Sequence, residues 1–234
     1  MRNLIAANWK LNPTNQKEAE ELFKTVKSGT KESGAEVVVC PPFVYLPLLK
    51  GLALGAQDVF FQENGAFTGE ISPSMLKDLG VEYAIIGHSE RRKYFGETDE
   101  TVNKKIIKAL ALGLKIIFCI GETAEERDAG KKNEVLKRQI QEGLKDVVDI
   151  DNVSVAYEPV WAIGTGNNCS IEETKESIDF IGQFVKKDTR ILYGGSVKSD
   201  NSGAYVKEAG ANGLLVGGAS LNAEEFVKIV KSVE

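Results

Sequence analysis

Val153-Ser154-Val155-Ala156-Tyr157-Glu158-Pro159-Val160-Trp161-Ala162-Ile163-Gly164-Thr165-Gly166 contains the unit from which the chain is built. The apolar run Val153 to Tyr157 reads as a buried strand. It stops at Glu158-Pro159, where Pro159 fixes φ and removes a backbone donor. Trp161 then offers a large surface to pack, and the two glycines admit backbone conformations that other residues resist. Taken alone, the stretch fits two readings equally. One is an ordinary strand-to-helix connection with an exposed Glu. The other is a base on a rigid strand, beside a loop stiff at its start and permissive at its tip.

The same unit recurs in both directions along the chain. Towards the N-terminus lie the strands Leu4 to Trp9, Val37 to Cys40, Leu52 to Gln57, Val81 to Gly87 and Leu114 to Ile120. Towards the C-terminus lie Arg190 to Tyr193 and Gly213 to Val216. Between them, helix starts are marked by Pro13-Thr14-Asn15, Ser72-Pro73 and Thr98-Asp99, and by the spacings Thr123/Glu126, Ser170/Glu173 and Asn222/Glu225. Apolar residues recur at helical spacing after them: Ala19, Leu22, Phe23 and Val26; Val102, Ile106, Ile107 and Leu110; Ile178, Ile181 and Val185; Phe226, Ile229 and Val230. A charged helix is expected from about Asn133 to Leu144. Strands apolar on both faces and alternating with helices imply a parallel sheet covered by helices. About eight units without a linker favour closure into one α/β, (β/α)8 barrel domain over residues 1–234. The first strand-to-helix turn lacks GxGxxG, which weakens a dinucleotide-binding fold.

Composition narrows the function. The chain has 234 residues, 42% hydrophobic and 27% charged, with a formal net charge of −5 and no basic stripe, which argues against nucleic acid. No signal peptide or membrane span is read at the start, so a cytoplasmic location is expected. Cys40, Cys119 and Cys169 are far apart and lack metal-ligand spacing, so reduced thiols are expected. One His in the whole chain excludes a zinc site built on histidines, and neither metal nor cofactor is expected.

Active sites of such barrels form at the C-terminal ends of the strands. Those ends carry Asn8 and Lys10, His88 with Ser89 and Glu90, Glu158, Ser196 after two glycines, and Gly217-Gly218. Each has a bland explanation: a surface cation, a core histidine, an ion pair, a tight turn. Their convergence is the argument. The glycine pairs after the seventh and eighth strands would offer backbone N–H groups to a phosphate. His88 precedes a short helix start, which disfavours imidazolium, so the ring is expected neutral and able to polarise a carbonyl. Lys10 can stabilise an oxyanion and Glu158 can take a proton from carbon. Together they suit enolisation of a phosphorylated α-hydroxy carbonyl compound. The alternatives are a barrel acting on a larger sugar phosphate and a non-catalytic phosphometabolite sensor.

Five segments carry a resemblance: Asn8-Trp9-Lys10, Gly87 to Arg92, Tyr157 to Gly166, Tyr193 to Val197 and Val216 to Ser220. In this order they resemble the triosephosphate isomerase family, whose fold is the TIM barrel. The resemblance implies interconversion of dihydroxyacetone phosphate and glyceraldehyde 3-phosphate through an enediolate, in glycolysis and gluconeogenesis. It implies Glu158 as general base, His88 as neutral electrophile and Lys10 as electrostatic stabiliser, the family's own pattern. It further implies Asn8, Lys10, Gly164, Ser196, Gly217 and Gly218 as substrate-binding positions, with Glu90 and Ser89 supporting. Pro159, Val160, Trp161, Ala162, Ile163, Gly164, Thr165 and Gly166 match the lid that closes over phosphate. Cys119 matches a buried family cysteine with a packing role. Asn167-Asn168-Cys169 departs from the family's Lys followed by small residues, so the lid's C-terminal hinge differs here. The loop Gln57 to Glu70 resembles the family's projecting third loop, which implies a homodimer with Phe67 and Thr68 beside the partner subunit's active site.

Overall fold

Side chains along each strand alternate between two apolar environments, and that alternation builds the molecule. The computed structural model describes residues 2–163 and 168–234. The strands are β1 (Leu4–Asn8), β2 (Glu36–Cys40), β3 (Ala53–Ala56), β4 (Tyr83–Ile86), β5 (Lys115–Ile120), β6 (Val153–Tyr157), β7 (Ile191–Tyr193) and β8 (Gly213–Val216). They form a closed barrel in chain order, and every pairing is parallel. Closure is made by β8 on β1, with Leu4 opposite Gly213 and Ala7 opposite Val216. A Cβ on Gly213 would lie 1.9 Å from the Leu4 carbonyl oxygen, so only glycine fits this seam.

Leu4, Ala6, Val38, Cys40, Tyr83, Ile85, Ile117, Cys119, Ala156, Leu192 and Leu215 fill the lumen as one cluster. Their chain neighbours Ile5, Val39, Ala84, Phe118, Val155 and Val216 face outward into a second cluster shared with the helices. Strands buried on both faces in this way need no polar alternation, which accounts for the continuous apolar runs.

The helices are α1 (Gln16–Gly29), α2 (Pro73–Asp78), α3 (Ser89–Phe95), α4 (Asp99–Ala111), α5 (Ala124–Asp128), α6 (Lys132–Gly143), α7 (Ile171–Gly182), α8 (Ser202–Lys207) and α9 (Ala223–Ser232). β2 and β3 are joined by a 3-10 turn at Phe43–Tyr45. Asn15, Ser72, Thr98, Thr123, Ser170 and Asn222 all cap helices, each side chain accepting from the amide three residues on. Thr123 and Glu126 complete a reciprocal capping box.

Two expectations about helix faces are corrected. Ile107 is 41% exposed rather than inward-facing, because the buried stripe of α4 runs through Val102, Lys105, Ile106, Ala109 and Leu110. Val185 lies beyond the end of α7, although it still packs on the core. Helix α8 carries too short a pattern, with Gly203 inside it, to be read from periodicity.

Candidate active site

The strand-end residues meet over a cavity of about 720 Å³. Asn8, Lys10, His88, Glu158, Ile163, Ser196, Gly217 and Gly218 all line it. Glu158 directly follows β6 and is only 2% exposed, its backbone N–H donating to the Ile120 carbonyl at 2.7 Å. A Cβ on Gly121 would fall 1.7 Å from the Glu158 carbonyl oxygen, so the β5 turn must be glycine for Glu158 to sit there. Both carboxylate oxygens are held. Oε1 lies 2.9 Å from His88 Nε2, and Oε2 accepts from the Ser89 backbone N–H at 2.9 Å.

His88 caps α3. Its Nδ1 accepts the Glu90 backbone N–H at 3.2 Å. A nitrogen that accepts carries no proton, so this bond places the ring proton on Nε2, facing Glu158. Burial acts against the charged imidazole, but the Glu158 carboxylate and then Glu90 act for it, and the His88 pKa lies above the ordinary histidine value. The acceptor bond at Nδ1 is that of a neutral ring, whereas the charge of Glu158, invisible in a linear pattern, favours the charged one. Burial likewise pushes the Glu158 carboxyl up, while His88, the Ser89 amide and Lys10 outweigh it and hold it below the ordinary carboxylate value. The pair is one coupled unit.

Lys10 approaches from the other wall. Its backbone φ is +52°, a left-handed conformation that a non-glycine residue holds only when its surroundings impose it. Asn8 Oδ1 accepts the Lys10 backbone N–H at 3.0 Å, and Gln57 Nε2 donates to the carbonyls of Lys10 and Cys40 at 2.8 and 2.9 Å. Gln57 was not among the residues singled out from the sequence. Its place just past β3 obeys the same strand-end rule that found the others. The Lys10 ammonium pairs with Glu90 at 2.6 Å. A Cβ on Gly217 would touch Lys10 Cε at 3.2 Å, so that glycine also gives the lysine room.

The glycine turns need one correction. The Gly194 N–H donates to the Tyr157 carbonyl at 2.8 Å and is not offered to a ligand. The Ser196 hydroxyl is likewise occupied, donating to the Ala162 carbonyl at 2.9 Å and tying β7's turn to the segment after Glu158. Val160–Ala162 forms a 3-10 turn after Pro159. Gly164, Thr165, Gly166 and Asn167 lie outside the described residues. Cys40, Cys119 and Cys169 are buried free thiols, consistent with packing roles. Among the described residues no group of three or more His, Cys, Asp or Glu could hold a metal ion, and no helix is long and apolar enough to cross a membrane.

The family model described as triosephosphate isomerase matches residues 3–233. The triosephosphate isomerase of Caldanaerobacter subterraneus is 50% identical, aligned over 98% of this chain and 98% of its own length. Those of a Thermoanaerobacter species and of Alkaliphilus oremlandii are 49% and 48% identical, over 98% and 97% of this chain and 98% of their own lengths. A match of this extent, on a closed eight-stranded parallel barrel, places the chain in the triosephosphate isomerase family.

Proposed function

We propose that the chain interconverts dihydroxyacetone phosphate and D-glyceraldehyde 3-phosphate by moving a proton between adjacent carbons, with Glu158 as base, His88 as electrophile and Lys10 as electrostatic stabiliser. The observation that carries this reading is the Glu158–His88 contact of 2.9 Å in a cavity that Lys10 also lines. A carbonyl oxygen entering the cavity competes with Glu158 for the Nε2 proton of His88. Taking that hydrogen bond polarises the carbonyl and acidifies the neighbouring C–H. It also strips Glu158 of the partner that holds its pKa down. A carboxylate 2% exposed is then left with burial as its dominant influence, and becomes a stronger base as the substrate seats. The negative charge that develops on oxygen faces Lys10, whose position is fixed through Asn8, Gln57 and Glu90. Gly217, Gly218 and the backbone at Ser196 make the phosphate end of the site. The segment Pro159 to Gly166 acts as the lid that excludes water.

Incubation with dihydroxyacetone phosphate in deuterated water tests the reading. Deuterium entering both product and recovered substrate is expected. No exchange above a buffer control would contradict it, and would leave a larger sugar phosphate or simple binding as the role.

The chain is further proposed to act as a homodimer. Leu11, Val44, Phe67 and Phe95 are 89%, 72%, 44% and 70% exposed. They follow β1, β2, β3 and β4, four adjacent strands, so these four lie on one side of the barrel. Phe67 leans on Phe60 at 4.9 Å between ring centres, and Thr68 beside it is exposed. Light scattering at micromolar concentration should return twice the chain mass; a monomer would refute this part.

A further inference from the structure

Two turns carry the backbone of the proposed phosphate end, and the strands beneath them do little to set their spacing. β7 and β8 pair through a single couple, Tyr193 with Leu214, and Tyr193 is the last residue of β7. Beyond it no ladder holds the β7 turn to its neighbour. The β8 turn is fixed from within. Ser220, fully buried, donates to the Gly217 carbonyl from its hydroxyl at 2.7 Å and from its N–H at 2.8 Å.

The β7 turn is held differently. Gly195, Ser196 and Val197 line the cavity, and among the described residues no group accepts their three N–H donors. The amides on either side are taken. Gly194 donates to the Tyr157 carbonyl, Lys198 to Asn201 Oδ1 at 2.8 Å, and Ser199 to Glu225 Oε1 at 2.7 Å. Of these three acceptors, only Glu225 comes from the β8 side. It stands in the first turn of α9, the helix into which the β8 turn leads. Asn222 caps that helix and accepts the Glu225 N–H at 3.0 Å, and the next residue, Phe226, is fully buried. The carboxylate thus projects from a fixed base. Its other oxygen, Oε2, accepts the Ser199 hydroxyl at 3.1 Å.

We propose that Glu225 is a positioning residue for phosphate: gripping Ser199 at two points from α9, it sets the β7 turn against the β8 turn at the spacing that seats the group. This deepens the proposed function and rests on its assignment of Gly217, Gly218 and the Ser196 backbone to the phosphate end.

Backbone donors favour an anion most when they already point together before it arrives. A turn left free to swing would be ordered on binding, at a cost in affinity. A carboxylate beside an anion's seat needs its own charge taken up. Here the Ser199 amide, and then its hydroxyl, take it up at the positive end of α9, and hold the Glu225 carboxyl below the ordinary value against the effect of burial. What the position requires is therefore reach and two bonding atoms, not a net charge. Glutamine keeps both, its oxygen accepting the Ser199 N–H and its nitrogen donating to the hydroxyl. Alanine keeps neither.

Calorimetric titration of the full-length protein with inorganic phosphate and with glycerol 3-phosphate tests this in the wild type, Glu225→Gln, Glu225→Ala and Ser199→Ala. Glu225→Ala should weaken both ligands by about tenfold, and by the same factor, because the loss falls on the group they share. Glu225→Gln should stay within about twofold of the wild type. Ser199→Ala loses the hydroxyl alone and should lie between them; it serves if Glu225→Ala fails to fold. In turnover of dihydroxyacetone phosphate, the Glu225→Ala loss should fall on KM more than on kcat. Unchanged affinity in Glu225→Ala, or in Ser199→Ala where the first does not fold, would overturn the proposal. An equal loss in Glu225→Gln would overturn it too, by showing that charge and not reach is what counts. A wild type that binds neither ligand defeats the phosphate end, and the proposed function with it. Wild-type binding that persists undiminished in Glu225→Ala defeats the role of Glu225 alone.

Discussion

The two ends of the same barrel hold similar residues to opposite effect. At the N-terminal end, Glu36 of β2 meets Arg190 at 2.7 Å and Lys115 of β5 at 3.5 Å, and also accepts the hydroxyl of Tyr83, which opens β4. Two permanent cations and a phenol saturate one carboxylate beside a cavity of about 230 Å³. At the C-terminal end, Glu158 faces a titratable imidazole and one backbone amide, beside a cavity three times larger. The first arrangement has nothing to give up. The second can exchange a partner, since a substrate oxygen can take the place of Glu158 on His88. A carboxylate is made structural or reactive by whether its partners can be displaced.

Breaking the closed end should cost stability and leave chemistry alone. Glu36→Ala strands Arg190, Lys115 and Tyr83 around an empty position, and chemical denaturation should show a loss of about 2 kcal/mol. Its kcat/KM should match the wild type; a large fall would mean that the two ends are not independent.

The pH dependence sharpens the contrast with a smaller effect. Burial raises the Glu36 carboxyl, but Tyr83, Arg190 and Lys115 overcome it and hold it below the ordinary value. Its stabilisation is therefore present above the unfolded-state pKa and lost as pH falls through the folded one. His88 is raised from 6.5, so its stabilisation is complete below that value and lost as pH rises through the folded pKa. Because the chain has one histidine, the neutral-range slope in unfolding free energy belongs to His88 alone among its side chains of that type. His88→Asn should flatten it. A wild-type curve already flat between mild acid and mild base would show that Glu158 does not favour the charged ring.

Much of this was legible in the sequence because it depends on local rules. The capping residues Asn15, Ser72, Thr98, Thr123, Ser170 and Asn222 act on amides three residues away, so a linear pattern finds them. The strand-end rule placed Asn8, Lys10, His88 and Glu158 in one cavity. What escaped depends on contacts between strands. The support that Gln57 gives to the left-handed Lys10 needs β3 to lie one strand beyond β1, so that its side chain reaches across the end of β2 at the mouth. The Gly194 amide is spent on Tyr157 only because β6 and β7 pair in that register. The raised pKa of His88 needs a carboxylate seventy residues away in the chain, at Glu158. Outward-facing Ile107 has the helical spacing of its buried neighbours, and only the position of α6 and the strands beneath α4 decides which stripe is covered.

The central claim is that Glu158 is the base that removes a proton from carbon. Glu158→Gln preserves the shape of the side chain and its bond from the Ser89 amide, while removing the basic oxygen. Turnover of dihydroxyacetone phosphate by this variant should fall roughly 10²–10⁴-fold, and affinity for a phosphate-bearing analogue should stay close to that of the wild type. Near-normal turnover in Glu158→Gln would contradict the account.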